Sequence, residues 1–261
     1  MRQMRVLLLK NKTAQLDNYE VAFKSNGYET FFVPLIAHTH VPEELLGLIN
    51  DKDYVESLKN IVVSSQRTVE CLSESVLPKL NSATAEMLLS KTVYAVGAAT
   101  EEFLARIGFK NVKGGKNAGT GSILADLITQ DLLEQGQEAA RDSEILSLVG
   151  QIRRDVIPNK LSSKGFKVKE VVTYQTVNLE DNLERFQKVV SPHSWVVLFS
   201  PQGTEEILLE LKKHPDTKIK IASIGPTTEK YLNENGIQPQ VVSPKPDSNS
   251  LLNAIKLSEE N

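Results

Sequence analysis

The chain has 261 residues, with 30 Lys and Arg against 33 Asp and Glu, a formal net charge of -3. That length gives one large domain or two small ones, and that balance excludes a protein coated in positive charge for nucleic acid, whose affinity comes from neutralising many phosphates. Apolar residues at 40% and charged residues at 24% are ordinary globular usage and exclude a disordered chain.

The opening Met1–Arg5 is followed by four apolar residues, Val6 to Leu9. A secretory signal carries about 7–15 in that place and a membrane span about 20. No other run approaches that length, so a cytoplasmic location with no membrane partner is expected. The single cysteine, Cys71, excludes an intrachain disulfide and fits a reducing compartment.

Strands are predicted, in chain order, at Val6–Leu9, Tyr28–Ile36, Ile61–Ser64, Thr92–Val96, Ile145–Val149, Val168–Val177, Trp195–Phe199, Lys218–Ile224 and Gln240–Val242. Amphipathic segments lie between most of them. Ser122–Gln135 puts Ile123, Leu124, Leu127, Ile128 and Leu132 on one face, and Thr204–Lys213 does the same with Ile207, Leu208 and Leu211. Apolar strands alternating with helices imply parallel sheets covered on both faces. Gly27, Gly108, Gly165 and Gly236 each stand where a helix ends before the next strand, a position suited to the left-handed cap.

The chain repeats itself. Tyr94-Ala-Val-Gly97-Ala-Ala-Thr100-Glu-Glu-Phe-Leu104 parallels Ala222-Ser-Ile-Gly225-Pro-Thr-Thr228-Glu-Lys-Tyr-Leu232, and Ser122-Ile-Leu124 parallels Ser250-Leu-Leu252. Val63-Ser-Ser65 likewise parallels Leu198-Phe-Ser200. A duplicated pair of similar α/β lobes follows. The repeat alone fits two arrangements. In a tandem one the lobes meet in the polar stretch Glu134–Ser143; in a swapped one the chain crosses after Ile36 and returns near Tyr174.

Several familiar chemistries are excluded. The Gly-rich stretch Gly114–Ser122 opens a helix, but Asn117 follows Lys116 where a phosphate-binding loop needs Ser or Thr after a correctly spaced Lys. Leu124 stands where a dinucleotide fingerprint needs its third Gly. His38 and His40 share one strand face without a Cys, Asp or Glu to complete a metal set, and with His193 and His214 they read as solvent-exposed histidines. There is no Gly-x-Ser-x-Gly elbow. Cys71, spaced with Val69, Leu72 and Val76, reads as a buried structural thiol.

What remains is a recurring strand, small-residue turn and helix start. It occurs at Ser64-Ser65-Gln66-Arg67-Thr68, Gly97–Thr100, Gly150–Arg154, Ser200–Thr204 and Gly225–Thr228. In parallel sheets such turns lie at the carboxyl ends of the strands, where these folds bind ligands. Free helix N–H groups, hydroxyls and arginines receive carboxylate or phosphate. Any single turn is explained by Ser or Thr capping a helix; five in two lobes point to a two-sided cleft for a polyanion.

At Ile224-Gly225-Pro226-Thr227-Thr228, Phe199-Ser200-Pro201 and Val172-Thr173-Tyr174-Gln175-Thr176 the sequence resembles the uroporphyrinogen-III synthase family, and the likeness runs from Arg5-Val-Leu-Leu-Leu-Lys10 to the final helix. The resemblance implies two parallel-sheet α/β lobes in the swapped arrangement, one of them discontinuous: 1–35 with 175–261, and 40–170, joined by a two-stranded connector at about 35–40 and 169–176. It implies a hydro-lyase without metal or organic cofactor. The linear tetrapyrrole hydroxymethylbilane, which bears eight carboxylates, loses its hydroxyl in the cleft between the lobes. It closes to uroporphyrinogen III with ring D inverted through a spiro intermediate. The absence of a strong nucleophile suits this, since positioning and electrostatics then carry the rate.

The family's connector tyrosine maps to Tyr174, either a proton donor to the departing hydroxyl, since a phenol keeps its proton at neutral pH, or a residue that packs and orders the hinge. Substrate-lining positions map to Ser64, Ser65, Arg67, Thr100, Arg153, Arg154, Ser200, Thr227 and Thr228. A Ser-Pro-Arg pattern common in the first lobe of the family reads Ser65-Gln66-Arg67 here, which removes the proline's hold on the direction of Arg67. Arg153 and Arg154, adjacent at an expected helix start, are expected to point apart, one of them to the cleft. A non-catalytic two-lobed binder of a small polycarboxylate is the alternative reading. A monomer is expected, because no long exposed apolar stripe stands out.

Overall fold

The computed structural model describes residues 4–13, 16–134, 143–213 and 218–260. Its strands are β1 (Arg5–Leu9), β2 (Glu29–Phe32), β3 (Ile36–His40), β4 (Asn60–Val63), β5 (Thr92–Val96), β6 (Asn111–Gly115), β7 (Ile145–Gly150), β8 (Val168–Asn178), β9 (Trp195–Leu198), β10 (Lys220–Ser223) and β11 (Val241–Val242). They form a five-stranded sheet, β11-β10-β9-β1-β2, and a six-stranded one, β3-β8-β7-β4-β5-β6. Every strand pair of defined register runs parallel. The chain divides into two compact units, 1–37 with 177–261 and 38–176, and the divisions fall within β3 and β8.

Both sheets are covered on both faces, so their central strands carry apolar side chains on both sides. Leu7, Leu9, Val196 and Leu198 pack into one core of the first unit, while Val6, Leu8, Trp195 and Val197 pack into another. In the second unit Ile61, Val63, Leu146 and Leu148 face one core and Val62 and Ile145 the other. This two-residue alternation is the strand period itself. Burying each such side chain contributes about 1.5–3 kcal/mol.

Four sequence expectations are corrected. The apolar run Tyr28–Ile36 is two strands in different sheets: the ladder with β1 ends at Val33, whose N–H donates to Leu8 O (2.9 Å), and Pro34 has no N–H to continue it. Second, β6 occupies part of the Gly-rich stretch read as a helix opening. The helix Gly121–Glu134 crosses so close to it that a Cβ on Gly114 would lie 2.5 Å from Leu124 Cδ1 and 2.7 Å from Ala95 O. Third, Ile123 is 49% exposed rather than on that helix's apolar face. Fourth, His38 and His40 are half-buried on β3, bonded through Nδ1 to Thr176 Oγ1 (3.2 Å) and Ser75 Oγ (2.7 Å). His193 is exposed. Gln135, His214 and most of the Glu134–Ser143 stretch lie outside the described residues. Cys71 is fully buried, and burial pushes its thiol up to about 11.

One carboxylate gathers Lys10 and Thr13, just after β1, at the start of a helix. Asp17 accepts from Lys10 Nζ (2.8 Å), Thr13 Oγ1 (2.8 Å) and N (3.3 Å), and caps the helix Asn18–Lys24 through Tyr19 N (2.9 Å). Burial alone raises its pKa, and these donors more than offset that, holding it at about 2 against an ordinary 3.8. A depressed carboxylate stabilises the fold above the unfolded value and loses that contribution as pH falls through the folded one. Urea titrations should show about 2 kcal/mol lost between about pH 4 and 2, a slope that Asp17→Asn flattens.

Candidate active site

In the six-stranded sheet the chain runs outward from β4 through β5 to β6, then returns to place β7 on the other side of β4. Strand order reverses between β4 and β7, and such a reversal opens a crevice beyond the carboxyl ends of the two strands. A cavity of about 520 Å³ lies there, lined by Ser64 and Ser65 after β4, Arg153 and Arg154 after β7, and Glu170 and Tyr174 on β8. Five of the residues singled out from the sequence thus share one cavity.

Their local geometry differs from expectation in one respect. The helix after β7 starts at Val156, so Arg153 and Arg154 sit in the loop before it. No helical offset splays them, and both line the cavity. They are nevertheless unequal. Arg153 donates through Nε and Nη2 to both carboxylate oxygens of Glu170 (2.9 and 3.1 Å), the bidentate fork typical of arginine. Among the described residues Arg154 has no ion pair, so its charge is available to a ligand.

Ser65 accepts from Arg67 N (3.2 Å) and so caps the helix Gln66–Cys71. Arg67 turns along that helix to Glu70 (2.7 Å) and is not part of the cavity lining. Thr100, in the first turn of the helix Ala98–Arg106, is buried at 4% exposure and also lies outside the lining.

Tyr174 owes its place to a break in the ladder. Val149 pairs with Val172, but Gly150 pairs with Tyr174, so Thr173 is an extra residue on β8. Such bulges re-aim the side chain that follows. The bulge is fixed on all sides. Thr173 Oγ1 donates to Val149 O (3.1 Å), and having spent its proton there it accepts from Thr68 Oγ1 (3.1 Å), both threonines being fully buried. Gln151 N donates to Tyr174 O (2.9 Å), and the ring stands edge-on to His38, centroids 6.0 Å apart.

In the other unit Ser200, Thr227 and Thr228 line a second cavity, of about 330 Å³, with Lys245. It lies beyond the carboxyl ends of β9, β10 and β11, at the start of the helix Pro226–Glu234. The first bond of that helix runs from Glu229 N to Gly225 O (3.1 Å), which leaves the N–H groups of Thr227 and Thr228 at its open end. Among the described residues no three His, Cys, Asp or Glu side chains gather as metal ligands, and no helix is long and apolar enough to cross a membrane. Sequence reasoning missed Glu170, whose pairing with Arg153 spans 17 residues, and saw in Gly150 only a turn residue.

The fold and its cavities define a two-unit parallel α/β protein with cavities at strand ends lined by hydroxyls and basic side chains. A family model described as uroporphyrinogen-III synthase HemD matches residues 17–253. The chain is 51% identical to the uroporphyrinogen-III synthase of Saccharomyces cerevisiae, over 98% of this chain and 97% of that one. It is 34% identical to that of Schizosaccharomyces pombe, over 97% of each. Among solved structures it is similar to uroporphyrinogen-III synthetase from Helicobacter pylori, with a TM-score of 0.59 at 19% identity over 98% of this chain and 100% of that one. It is also similar to a mutant uroporphyrinogen III synthase from Thermus thermophilus, with a TM-score of 0.51 at 16% identity over 98% and 99%. These two show the shared fold. The chain belongs to the uroporphyrinogen-III synthase family.

The inequality of the two arginines is measurable with a simple polyanion. Arg154→Ala should weaken binding of benzenehexacarboxylate about 5- to 10-fold at low salt, the worth of one charge-assisted hydrogen bond at an open site. Arg153→Ala should cost less than about 2-fold, because Glu170 already occupies its fork. Calorimetry at two ionic strengths checks both, and added salt should narrow the gap. Equal losses would refute the assignment of Arg154 as the available charge.

Proposed function

We propose that this protein is a uroporphyrinogen-III synthase: it closes hydroxymethylbilane to uroporphyrinogen III, with loss of water and inversion of ring D through a spiro intermediate. The observation that carries the reading is the meeting of an aimed phenol, Tyr174, with an available guanidinium, Arg154, in one cavity, in a chain 51% identical to the budding-yeast enzyme over nearly its whole length.

In this reaction the electron-rich pyrrole expels the hydroxyl of the hydroxymethyl group, and Tyr174 Oη supplies the proton with which it leaves as water. Arg154, Ser64 and Ser65 receive carboxylates in the 38–176 unit, and Arg153 adds its remaining N–H while it stays forked on Glu170. Ser200, Thr227 and Thr228 receive carboxylates in the other unit. Arg67 reaches the ligand only by leaving Glu70, and Thr100 shapes its turn from within. On this reading 1–35 with 175–261 and 40–170 are the two lobes, with connectors at about 35–40 and 169–176. The enzyme works as a cytoplasmic monomer and needs no metal, organic cofactor, nucleic acid or membrane.

The test is incubation with fresh hydroxymethylbilane and chromatographic separation of the isomers. Uroporphyrinogen III formed faster than spontaneous closure to isomer I is the expected result; isomer I alone, at the spontaneous rate, would leave only a binding protein. Tyr174→Phe keeps the ring and removes the O–H. It should lower kcat by about 10²–10⁴-fold, the usual worth of general acid catalysis, with little change in Tm because apolar volume is kept. A Phe variant within a few-fold of wild type removes the proton-donor role and leaves positioning to account for the rate.

A further inference from the structure

We infer that Gly150 is a positioning residue: it is the side-chain-free seat on which the Tyr174 ring rests, and its missing Cβ sets where the phenol points. This inference rests on the proposed role of Tyr174. A Cβ built on Gly150 lies 2.5 Å from Tyr174 Cζ, 2.6 Å from Oη and 2.9 Å from Cε2. Carbon atoms in ordinary contact stand about 3.5–4.0 Å apart, so ring and Cβ exclude each other.

The reason for glycine here is space alone. Gly150 is absent from the positive-φ glycines, so its backbone accepts an L side chain without strain. The three atoms nearest the added Cβ all belong to Tyr174, and none belongs to the main chain. The bulge at Thr173 brings ring and glycine opposite each other, and the buried Thr68–Thr173–Val149 hydrogen bonds hold that register. With the main chain fixed, an added methyl is accommodated by rotating the phenol away. The fold loses little, while the hydroxyl leaves its place in the cavity that Arg154 and Ser65 also line. A purely structural glycine behaves in the opposite way, since its replacement lowers stability and activity together.

The test combines Gly150→Ala, Tyr174→Phe and Tyr174→Ala with the two doubles Gly150→Ala/Tyr174→Phe and Gly150→Ala/Tyr174→Ala. Gly150→Ala should lower kcat by about 10- to 100-fold, the cost of a misplacement on the ångström scale, with KM nearly unchanged and a larger share of isomer I. In the Tyr174→Phe background the same substitution should add less than about 2-fold, because coupled residues do not act additively. In protein labelled with 3-fluorotyrosine, the ¹⁹F resonance that disappears in Tyr174→Phe should shift in Gly150→Ala. If Gly150→Ala melts early, Gly150→Ala/Tyr174→Ala should melt no lower than Tyr174→Ala, since the ring is the obstacle.

An unmoved Tyr174 resonance overturns the inference, as does a full Gly150→Ala penalty, in kcat or in Tm, that persists once the phenol or the ring is gone. Should Tyr174→Phe itself retain the wild-type rate, the proton-donor reading fails while the ¹⁹F shift still decides the seat, so the two failures are distinguishable.

Discussion

A parallel ladder cannot be closed by a hairpin, so successive strands that pair within one sheet here are joined by a crossing over that sheet. That constraint orders everything else. It leaves both faces covered, makes β1, β4, β7 and β9 predominantly apolar and buried, and collects the turns and helix starts at the carboxyl ends of the strands. Where strand order reverses, the crossings depart to opposite faces and leave a crevice. The six-stranded sheet reverses between β4 and β7, and its crevice is the larger cavity. The five-stranded sheet reverses between β1 and β9, but there the crevice is occupied from within. Lys10, the first residue after β1, sets its ammonium 4.8 Å from the Tyr19 ring centroid and 5.3 Å from that of Phe199 while bonded to Asp17. The same topology thus yields an open site in one unit and a filled one in the other, and the second cavity is displaced outward, beyond β9, β10 and β11.

The filled crevice bears on how a chain of net charge -3 can receive a polyanion. Lys10 is committed to Asp17, Arg153 to Glu170 and Arg67 to Glu70. These three cations near the strand ends are thus paired with carboxylates, while among the described residues Arg154 in one cavity and Lys245 in the other have no ion pair and stand beside several neutral donors. Neutral N–H and O–H donors are directional, and their number rather than a large field sets the fit.

Much of this was legible in the sequence, for physical reasons. Doubly buried strands announce themselves as runs such as Val6–Leu9 and Trp195–Leu198, and the strand, small-residue turn and helix motif marks strand ends wherever it recurs. What escaped was whatever depends on partners distant in the chain. Phe31-Phe-Val-Pro-Leu-Ile36 is apolar throughout, because both sheets bury it, so nothing in its composition marks the passage from one sheet to the other. Lys113-Gly-Gly115 has too little apolar content to register as a strand; β6 is the end strand beside β5, and its glycines yield to Leu124 and Glu101. Arg153 and Glu170 read as two unrelated charges until β7 and β8 pair. The register shift at Thr173 has no sequence signature at all, since a bulge is a property of two strands.

The duplication adds a last step. Thr100 and Thr228 occupy the same place in the two copies, three residues into a helix that follows a glycine turn, and both are buried, at 4% and 3% exposure. That agreement is structural: a small β-branched residue lets the first helical turn close against the strand beneath it. The copies differ in what their turns present. After β4 the turn reads Ser64-Ser-Gln-Arg-Thr68 and carries a guanidinium, whereas its counterpart after β9 reads Ser200-Pro-Gln-Gly-Thr204 with no charge at all. Two copies of one scaffold need only agree in their buried residues to keep folding alike. The exposed turn residues are free to differ, and one copy places two arginines and a phenol at its cavity while the other lines its cavity with hydroxyls, open helix N–H groups and Lys245.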